Sequence, residues 1–532
     1  MRIRSGKRML AALMGAASLL TTTAARPPNV LICVTDDQSF PHASAYGTRW
    51  VRTPAFDQIA REGLLFTNAF TPNAKCGPSR AILLTGRQSW QLGAAGNHVA
   101  YYPEGKRTFM EALGDSGFVV GYTGKGWAPG DSGLIGDRPR ELTGKAFNEQ
   151  RWPERMPGLS PIDYAANFAD FLRARERDQP FCFWFGAMEP HRPYARGAAL
   201  AAGRTLDEID GVPAYWPDNE TVRSDLLDYA HEIEFFDAQL ARFLALLEEH
   251  GELERTLIIV TSDNGMPFPR AKGTTYDASM HIPLAMRWPG GIVRAGRQVD
   301  ALVSLVDLAP TILEATAVDA KTAGMEAFAG TSLGPLLRDE PDAAAGRDAL
   351  IFGQERHDLG RPGDKGYPVR GIISDGFLYA RNFATDRWPM GDPITGYLNT
   401  DGGPTKSFIL EENRHGRNHW LWELNFGRRP AEELYDLARD PDCLRNLSGE
   451  LEHAPRREAM AAELMAELRR QDDPRVVGAG DEFDRYPYAS PLRGFYERFA
   501  RGERPPTPWV EPTDFETSDF DPERPLRPRL EP

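Results

Sequence analysis

From Asn29 onward, short runs rich in β-branched and aromatic residues alternate with longer amphipathic runs. Parallel strands need crossover connections, which are usually helices, so this alternation is typical of parallel sheets. It predicts an α/β fold with a large, mostly parallel sheet flanked by helices on both faces. We predict strands of this sheet at residues 30–35, 64–70, 118–123, 181–187 and 257–261.

Helices are predicted between these strands from two kinds of signal. Thr53 precedes Pro54, and a capping residue followed by proline is a common helix start. Hydrophobic periodicity predicts the other helices, which we place at residues 107–113, 164–175 and 224–250.

The chain changes character after a run rich in Asp, Pro, Ala and Gly at residues 338–347, which predicts a linker. The region beyond it has the pattern of a smaller antiparallel sheet packed with a helix. Its predicted elements are strands at 350–353, 369–374 and 377–381, a turn near 434–436 and a helix at 457–470.

We therefore divide the chain into four segments. They are a signal peptide (1–25), an N-terminal catalytic domain (26–345), a smaller C-terminal domain (346–475) and an extended Pro-rich tail (476–532). The tail is dominated by Pro, Arg, Glu and Asp, so we expect it to wrap the surface or to be partly disordered.

The N-terminal segment has the pattern of a secretory signal. Four basic residues precede an apolar run at residues 9–20, and small residues suited to cleavage follow at 23–25. The apolar run is too short to span a bilayer comfortably, and no other segment is long enough. The sequence predicts an exported protein, periplasmic or secreted, with no transmembrane anchor after signal removal.

Charge limits the classes of partner. The 62 Lys and Arg residues against 76 Asp and Glu residues give a net charge of −14, which argues against a nucleic-acid partner. A polyanionic substrate would have to be held by local cations against this overall field.

Four cysteines are too few for a disulfide scaffold in a chain of 532 residues. Cys33 and Cys182 lie in apolar strand-like runs and are predicted to be core thiols. Cys76 instead opens a helix-competent run, with Pro78 and Arg80 after it. A sulfur at a helix N-terminus beside a fixed cation is a candidate anion site. The alternative is an ordinary buried thiol at a turn.

Polar groups follow four of the predicted strands. In an open α/β sheet, ligands bind outside the carboxyl ends of the strands, so we expect these groups to converge on one crevice. The groups are Asp36-Asp37, Gly124-Lys125, Glu189-Pro190-His191 and Ser262-Asp263-Asn264-Gly265.

Asp36, Asp37, Asp263 and Asn264 form an all-oxygen set. Such a set suits a hard divalent cation, Ca²⁺ first, and does not suit zinc or copper, which favour nitrogen and sulfur. The alternative for adjacent acidic residues at a strand end is a solvated turn.

Cations and donors are placed around the same crevice. Arg80, Lys125, His191 and Lys272 would together form a clamp for a tetrahedral oxyanion and for a developing leaving group. Taken singly, each of them is also compatible with an ordinary surface or loop position.

The stretch Cys76-Gly77-Pro78-Ser79-Arg80, with residues 84–87 after it, resembles the signature of type I sulfatases. The strand-end motifs agree with that family in order and spacing, and the similarity extends over residues 29–447. It implies an alkaline-phosphatase-like fold. Residues 261–269 and 433–437, with Asp440-Pro441, most resemble the heparan N-sulfatase (sulfamidase) branch.

The resemblance implies that a maturation enzyme converts Cys76 to formylglycine (3-oxoalanine), whose hydrate supplies the nucleophilic oxygen. One Ca²⁺ would be held by the modified residue 76 and by the four oxygen-bearing side chains described above. Arg80 would steady the nucleophile, while Lys125, His191 and Lys272 would contact the sulfuryl group. His191 or Lys272 would assist the leaving group.

One position departs from the family pattern. Where the family usually has a histidine two residues after the lysine that matches Lys125, this chain has Trp127. Either another residue assists the nucleophile or the position favours substrate stacking. His98 is a candidate to line the pocket, and the alternative is a histidine of a surface loop.

Substrate selection is expected from the second region. Arg356, His357 and Arg370 could bind a uronic acid or a second sulfate by charge-assisted hydrogen bonds. The alternative is a surface charge cluster at a domain junction. Sugar stacking is conceivable for three aromatic residues, whose default role is core packing, namely Trp90, Tyr101 and Tyr102.

The sequence thus predicts a calcium-dependent sulfatase acting on a sulfated glycan, with N-sulfated glucosamine of heparan or heparin type as the favoured substrate. The nearest rival is an O-sulfatase on another sulfated polysaccharide, such as an algal one. A phosphonate or phosphate monoester hydrolase and a catalytically silent glycan-binding protein are further alternatives.

Overall fold

The computed structural model describes residues 26–343 and 347–521. The predicted signal peptide lies outside these residues, as does part of the predicted linker. Within the described residues, no helix combines the length and the apolar character needed to cross a bilayer.

An eight-stranded sheet forms the centre of the molecule. Its spatial order is β8-β2-β7-β6-β1-β5-β3-β4, and β7 runs opposite to the other seven strands. The predicted mostly parallel sheet is confirmed. The strands are β1 (Asn29–Thr35), β2 (Leu64–Phe66), β3 (Val119–Gly124), β4 (Lys145–Ala146), β5 (Phe181–Gly186), β6 (Thr256–Ser262), β7 (Leu284–Arg287) and β8 (Arg297–Val299).

Helices cover both faces because the central strands are apolar on both sides. In β1, Val30 and Ile32 point into one core, and Leu31 and Cys33 point into the other. The first core is covered by α2 (Cys76–Thr85), α3 (Phe109–Asp115) and α6 (Leu308–Ala315). The second is covered by α1 (Pro54–Glu62), α4 (Tyr164–Ala174) and α5 (Glu220–Glu249).

Strand register brings the expected polar groups to one edge of the sheet. Thr35 at the end of β1 is level with Ser262 at the end of β6. On the other side of β1, Val34 pairs with Gly186, which in turn pairs with Gly124. The residues that follow these four strands therefore emerge side by side.

The run at residues 64–70 is not one strand, as we predicted, but two. β2 ends at Phe66, and Ala69–Phe70 pairs with Val303–Ser304 outside the main sheet. Thr67 and Asn68 cause the break, because both side chains hydrogen-bond to Asp300, at 2.6 Å and 2.8 Å.

The second region contains a four-stranded antiparallel sheet of β9 (Ala349–Gln354), β10 (Val369–Ser374), β11 (Phe377–Asn382) and β12 (Glu432–Asp436). The small antiparallel sheet is confirmed, and its helix is α9 (Ala454–Arg470). The turn expected near 434–436 is wrong, because these residues belong to β12. Leu434 packs with α9 and Tyr435 packs on the opposite side, which is the alternation of a strand buried on both faces.

Two further helices, α7 (Pro404–Arg414) and α8 (His419–Phe426), lie between β11 and β12 in the chain. After α9, the described part of the tail returns to the body of the protein. Phe483 packs into the α9 core, and Tyr488, Phe495 and Val510 pack with Leu398.

Candidate active site

Three carboxylates meet at the carboxyl edge of the main sheet. One oxygen from each of Asp36, Asp37 and Asp263 lies within 4.8 Å of the others, and all three residues are buried. The Asp37 amide donates to Asp263 Oδ1 at 3.1 Å, and Asn264 Nδ2 donates to Asp37 Oδ1 at 2.7 Å. The structure thus brings together the four side chains predicted to bind a cation.

Two oxygens of this group fit a bound cation. Asp36 Oδ1 and Asn264 Oδ1 are buried and have no hydrogen-bond partner among the described residues. Buried polar atoms are rarely left in this state, and a missing ion is one common explanation. The all-oxygen donor set matches the ligands that Ca²⁺ takes in proteins.

Cys76 is the first residue of α2, and its thiol lies 3.8 Å from Asp37 Oδ1. The side chain is buried, with the residue 1% exposed. Burial, together with the Asp36 charge, raises the pKa of this thiol well above its usual value. A thiol in this position stays protonated at neutral pH and is a poor nucleophile in that form.

Arg80 follows Cys76 by one helical turn and therefore lies on the same face of α2. Its Nε donates to Asp263 Oδ2 at 2.8 Å, and one Nη donates to the carbonyl of Lys125 at 2.8 Å. Burial opposes its charge, but Asp263 and Asp36 outweigh burial and raise the Arg80 pKa. Arg80 thus joins α2 to the ends of β6 and β3.

Two lysines contact the carboxylates. Lys125 Nζ lies 2.6 Å from Asp36 Oδ2, and Lys272 Nζ lies 2.6 Å from Asp37 Oδ2. Lys272 also contacts Asp401 at 2.9 Å. Burial opposes the charge of Lys272, but Asp37 and Asp401 raise its pKa well above the usual value.

The neighbouring carboxylates titrate differently because their surroundings differ. Burial, only partly offset by Arg80, raises the pKa of Asp263 to about 7. Burial acts on Asp36 as well, but Lys125 and Arg80 outweigh it and hold the Asp36 pKa well below its usual value.

His191 forms the open side of the site. Its Nδ1 lies 2.5 Å from the carbonyl of Arg192, which leaves Nε2 facing Asp37 Oδ2 at 3.8 Å. Its side chain is 26% exposed, against 9% for Lys125 and 2% for Lys272. His191 is therefore the most exposed of these three side chains.

Glu189, in the same strand-end motif, is not available to a ligand. Its carboxylate accepts hydrogen bonds from the Ser160 amide at 2.8 Å and from the Tyr164 hydroxyl at 2.9 Å. It fixes the path of the chain that leads to His191.

Trp127 lies against the first turn of α2. Its indole N–H donates to the carbonyl of Gly77 at 3.0 Å, and its ring packs edge-on against Tyr102 at 4.9 Å. The residue is 8% exposed. The indole therefore braces the helix that carries Cys76, and little of it is left for sugar stacking.

His98 also lies near this turn. A Cβ atom on Gly77 would stand 3.5 Å from the His98 ring. His98 Nδ1 is 3.1 Å from Asp358 Oδ1, and Nε2 is buried without a partner among the described residues. Burial lowers the pKa of His98, which favours its neutral form.

Arg370 is not available for the substrate contact that we expected. It is fully buried, with its guanidinium paired to Asp473 at 2.7 Å and to Glu355 at 2.8 Å, and it lies over the Trp90 ring at 5.0 Å. These contacts join β10 to the chain after α9. Trp90 is likewise packed in the core, whereas Tyr101 is 40% exposed.

Arg356 and His357 are also buried, near the start of α2. Arg356 donates to the carbonyl of Tyr486 at 2.7 Å, and His357 Nε2 lies 2.9 Å from Asn73 Oδ1. Burial lowers the pKa of both side chains. In this conformation neither residue presents a charged group to an open crevice.

Three residues of the site were missed by sequence reasoning. Asp401 pairs with Lys272, and Lys75 pairs with Asp358 at 2.7 Å directly before Cys76. The position of Lys75 beside the Cys76 motif was a usable signal, as was the position of Asp358 beside His357. Asp401 lies in a polar, glycine-containing run that looks like an ordinary turn.

Several known proteins are similar to this chain in sequence. Human N-sulphoglucosamine sulphohydrolase is 29% identical over 456 residues, which covers 80% of this chain and 86% of that protein. An ulvan-active sulfatase of Formosa agariphila is 26% identical over 458 residues, covering 84% of this chain and 81% of that protein.

Two solved structures share the fold. A protein in complex with its substrate D-glucosamine-2-N,6-O-disulfate has a TM-score of 0.60 at 20% identity, covering 84% of this chain and 99% of that chain. A phosphonate monoester hydrolase of Agrobacterium radiobacter has a TM-score of 0.56 at 21% identity, covering 84% of this chain and 96% of that chain.

The family model described as Sulfatase matches residues 28–318, which is more than half of the chain. This range contains Cys76, the four oxygen-bearing side chains at the sheet edge and the surrounding cations. The protein belongs to the sulfatase family and has the alkaline-phosphatase-like architecture that its strand order and small antiparallel sheet indicate.

Proposed function

We propose that this protein is an exported sulfatase that removes sulfate from a sulfated glycan, with N-sulfated glucosamine as the favoured target. The observation that carries the proposal is the convergence of Cys76 with three buried carboxylates and with Lys125, Lys272 and His191 at one sheet edge. The match to the human N-sulphoglucosamine sulphohydrolase supports the choice of substrate.

Two groups would complete the site. Asp36, Asp37, Asp263 and Asn264 would hold Ca²⁺, which would supply a Lewis acid next to residue 76. Cys76 would be converted to formylglycine, whose hydrate would supply the nucleophilic oxygen. The unmodified thiol is unsuited to this role, because burial raises its pKa and keeps it protonated.

The two lysines would act on the sulfuryl group, and Arg80 would hold the helix that carries residue 76. Lys125 and Lys272 enter the site as ammonium groups within reach of oxygens bound near Asp36 and Asp37, so they would neutralise the charge of the transferring group. The ion pair between Arg80 and Asp263 holds the start of α2 against the end of β6.

His191 is suited to protonate the leaving group. Its Nδ1 is engaged by a backbone carbonyl, which leaves Nε2 as the nitrogen that faces the site from its open side. In the imidazolium form, which carries a proton on both ring nitrogens, Nε2 would give its proton to the amine or alcohol that leaves the sulfur atom on that side.

We also propose a division of the chain into domains. Residues 26–345 would form the catalytic domain, residues 346–475 the smaller domain and residues 476–532 the tail. Residues 1–25 would direct export and be removed, which N-terminal sequencing of the secreted protein would test.

A substrate panel tests the function. Protein produced together with a formylglycine-generating enzyme is incubated with N-sulfated glucosamine, O-sulfated sugars and phosphate or phosphonate monoesters, and sulfate and phosphate release are measured. We expect sulfate release, fastest from the N-sulfated sugar. Phosphate release without sulfate release would contradict the proposal.

A second candidate is an O-sulfatase on another sulfated polysaccharide. The similarity to two ulvan-active sulfatases of Formosa agariphila favours it. The same panel separates the two, because sulfate release from ulvan oligosaccharides and none from N-sulfated glucosamine would select the second candidate.

A further inference from the structure

Residues 396–403, which we call the junction loop, lie beyond the range matched by the family model and yet contact the site. Asp401 accepts a hydrogen bond from Lys272 Nζ at 2.9 Å, and the same Nζ donates to Asp37 at 2.6 Å. Asn399 Nδ2 donates to the carbonyl of Gly273 at 3.2 Å, next to Lys272. The junction loop therefore sets where Lys272 lies.

The helix that follows the junction loop, α7, contacts a residue that supports the segment carrying His191. Directly after the loop, Thr405 donates through its hydroxyl to Asp225 Oδ2 at 2.7 Å. Asp225 also accepts two hydrogen bonds from Arg192, at 2.9 Å and 2.8 Å. The junction loop and the first turn of α7 thus contact the supports of Lys272 and of the segment that carries His191.

The junction loop is held from behind by a buried ammonium group. Lys406 Nζ donates to the carbonyls of Gly396 at 2.9 Å and Thr400 at 2.8 Å, and Thr400 directly precedes Asp401. The same Nζ pairs with Asp514 Oδ2 at 3.1 Å, and both side chains are fully buried. A buried cation whose protons are all engaged fixes the groups around it.

Asp514 belongs to the tail, more than one hundred residues after Lys406. The tail makes a second attachment through Trp509, whose indole N–H donates to the carbonyl of Leu398 at 2.9 Å. The Gly402 amide donates in turn to the carbonyl of Trp509 at 2.7 Å. Both ends of the junction loop are thereby hydrogen-bonded to the tail.

We infer that the tail is a working part of the active site, with Asp514 as a positioning residue. Its ion pair with Lys406 holds the junction loop so that Asp401 keeps the Lys272 ammonium beside Asp37. Asp514 acts through these residues and touches no reacting atom. The inference rests on the proposed function for its kinetic readout.

The test starts from Asp514→Asn, which keeps the size of the side chain and removes its charge. We expect kcat to fall by at least about tenfold, the scale typical of lost outer-shell support. Hydrogen exchange of the peptide that contains residues 399–402 should rise by at least about tenfold. The matched control is Glu503→Gln, which alters an exposed tail carboxylate paired with Arg498 and leaves both quantities unchanged.

A second variant tests whether Asp514 affects kcat only by stabilising the fold. It replaces the ion pair with apolar side chains. Lys406→Met combined with Asp514→Leu removes both buried charges, and such replacements often retain stability. We expect this double variant to unfold at the wild-type midpoint, while its kcat stays at least about tenfold below that of the wild type. Recovery of kcat together with stability would overturn the inference.

The route through Asp401 is tested by a double-mutant cycle. Adding Asp514→Asn to Asp401→Asn should cause little further loss of kcat, because both changes release Lys272. Independent, multiplying losses would overturn the inference. If the wild-type protein releases no sulfate, the proposed function fails, and unchanged exchange at 399–402 in Asp514→Asn would separately overturn the positioning role.

Discussion

The carboxyl edge of the main sheet can be compared with the region formed by the small antiparallel sheet and the junction loop, which we call the junction. Their residues are held in place in different ways. At the sheet edge, Asp36 and Asp263 take their places from the register of β1 against β6. At the junction, Asp401 takes its place from the junction loop, which is held by Lys406 and by Trp509 of the tail. The first arrangement follows from the pairing of neighbouring strands in one sheet, whereas the second depends on side-chain contacts between segments outside that sheet.

The largest effect is expected at the sheet edge from Cys76→Ala, which removes the atom that becomes the nucleophile. We expect sulfate release to fall by at least about 10⁴-fold, as when a nucleophile is removed from other hydrolases. Cys182→Ala, which changes a buried thiol of β5 away from the site, is the matched control and should keep near-normal turnover per folded protein. Near-normal turnover in Cys76→Ala would contradict the assigned chemistry.

The next effect concerns the cation. Asp263→Asn removes one proposed ligand charge and an ion pair to Arg80 at 2.8 Å, so Ca²⁺ affinity measured by calorimetry should fall by at least about 100-fold. Asp237→Asn alters a buried carboxyl group of α5 that accepts hydrogen bonds from the amides of Ala55 and Phe56 and is not a proposed ligand, so this variant should bind Ca²⁺ as the wild type does. Equal affinity in both variants would show that Asp263 is not a ligand.

At the junction, Arg370→Met should act on stability. It leaves Glu355 and Asp473 as buried carboxylates without their main partner, so urea denaturation should show a loss of about 3–5 kcal/mol. The KM of the remaining folded enzyme should be unchanged. Arg498→Met, at an exposed ion pair, should cost about 1 kcal/mol or less. A raised KM with normal stability would restore Arg370 as a substrate ligand.

The smallest effect is expected at Trp127, which belongs to the sheet edge but supports it indirectly. Trp127→Phe removes the hydrogen bond to Gly77, worth about 1 kcal/mol, so kcat should fall less than tenfold. Trp90→Phe removes a comparable indole bond to Gln471 at 3.1 Å, away from the site, and kcat should not change. Equal kcat values in the two variants would remove Trp127 from the support of α2.

These differences explain which features the sequence could predict. Asp36, Lys125 and Asp263 were predictable because a strand end fixes the direction of the next few residues. Asp401 was not, because its role depends on Lys406 and Asp514, which pair across more than one hundred residues. Arg370 was misjudged for the same reason, since its partner Asp473 lies after α9.

The fold shows the same division. Short runs rich in β-branched and aromatic residues predicted several strands closely, as in β10, found at Val369–Ser374. It failed at residues 67–68, where side-chain bonds to Asp300 end a strand, and at β12, whose strand is completed only by pairing with β11.

The most direct test of the central claim is the mass of the tryptic peptide that begins at Cys76 and ends at Arg80, taken from protein that releases sulfate. Lys75 and Arg80 provide the two cleavage sites. We predict the mass of the formylglycine form at residue 76. An active preparation in which this peptide carries only the unmodified thiol would contradict the account.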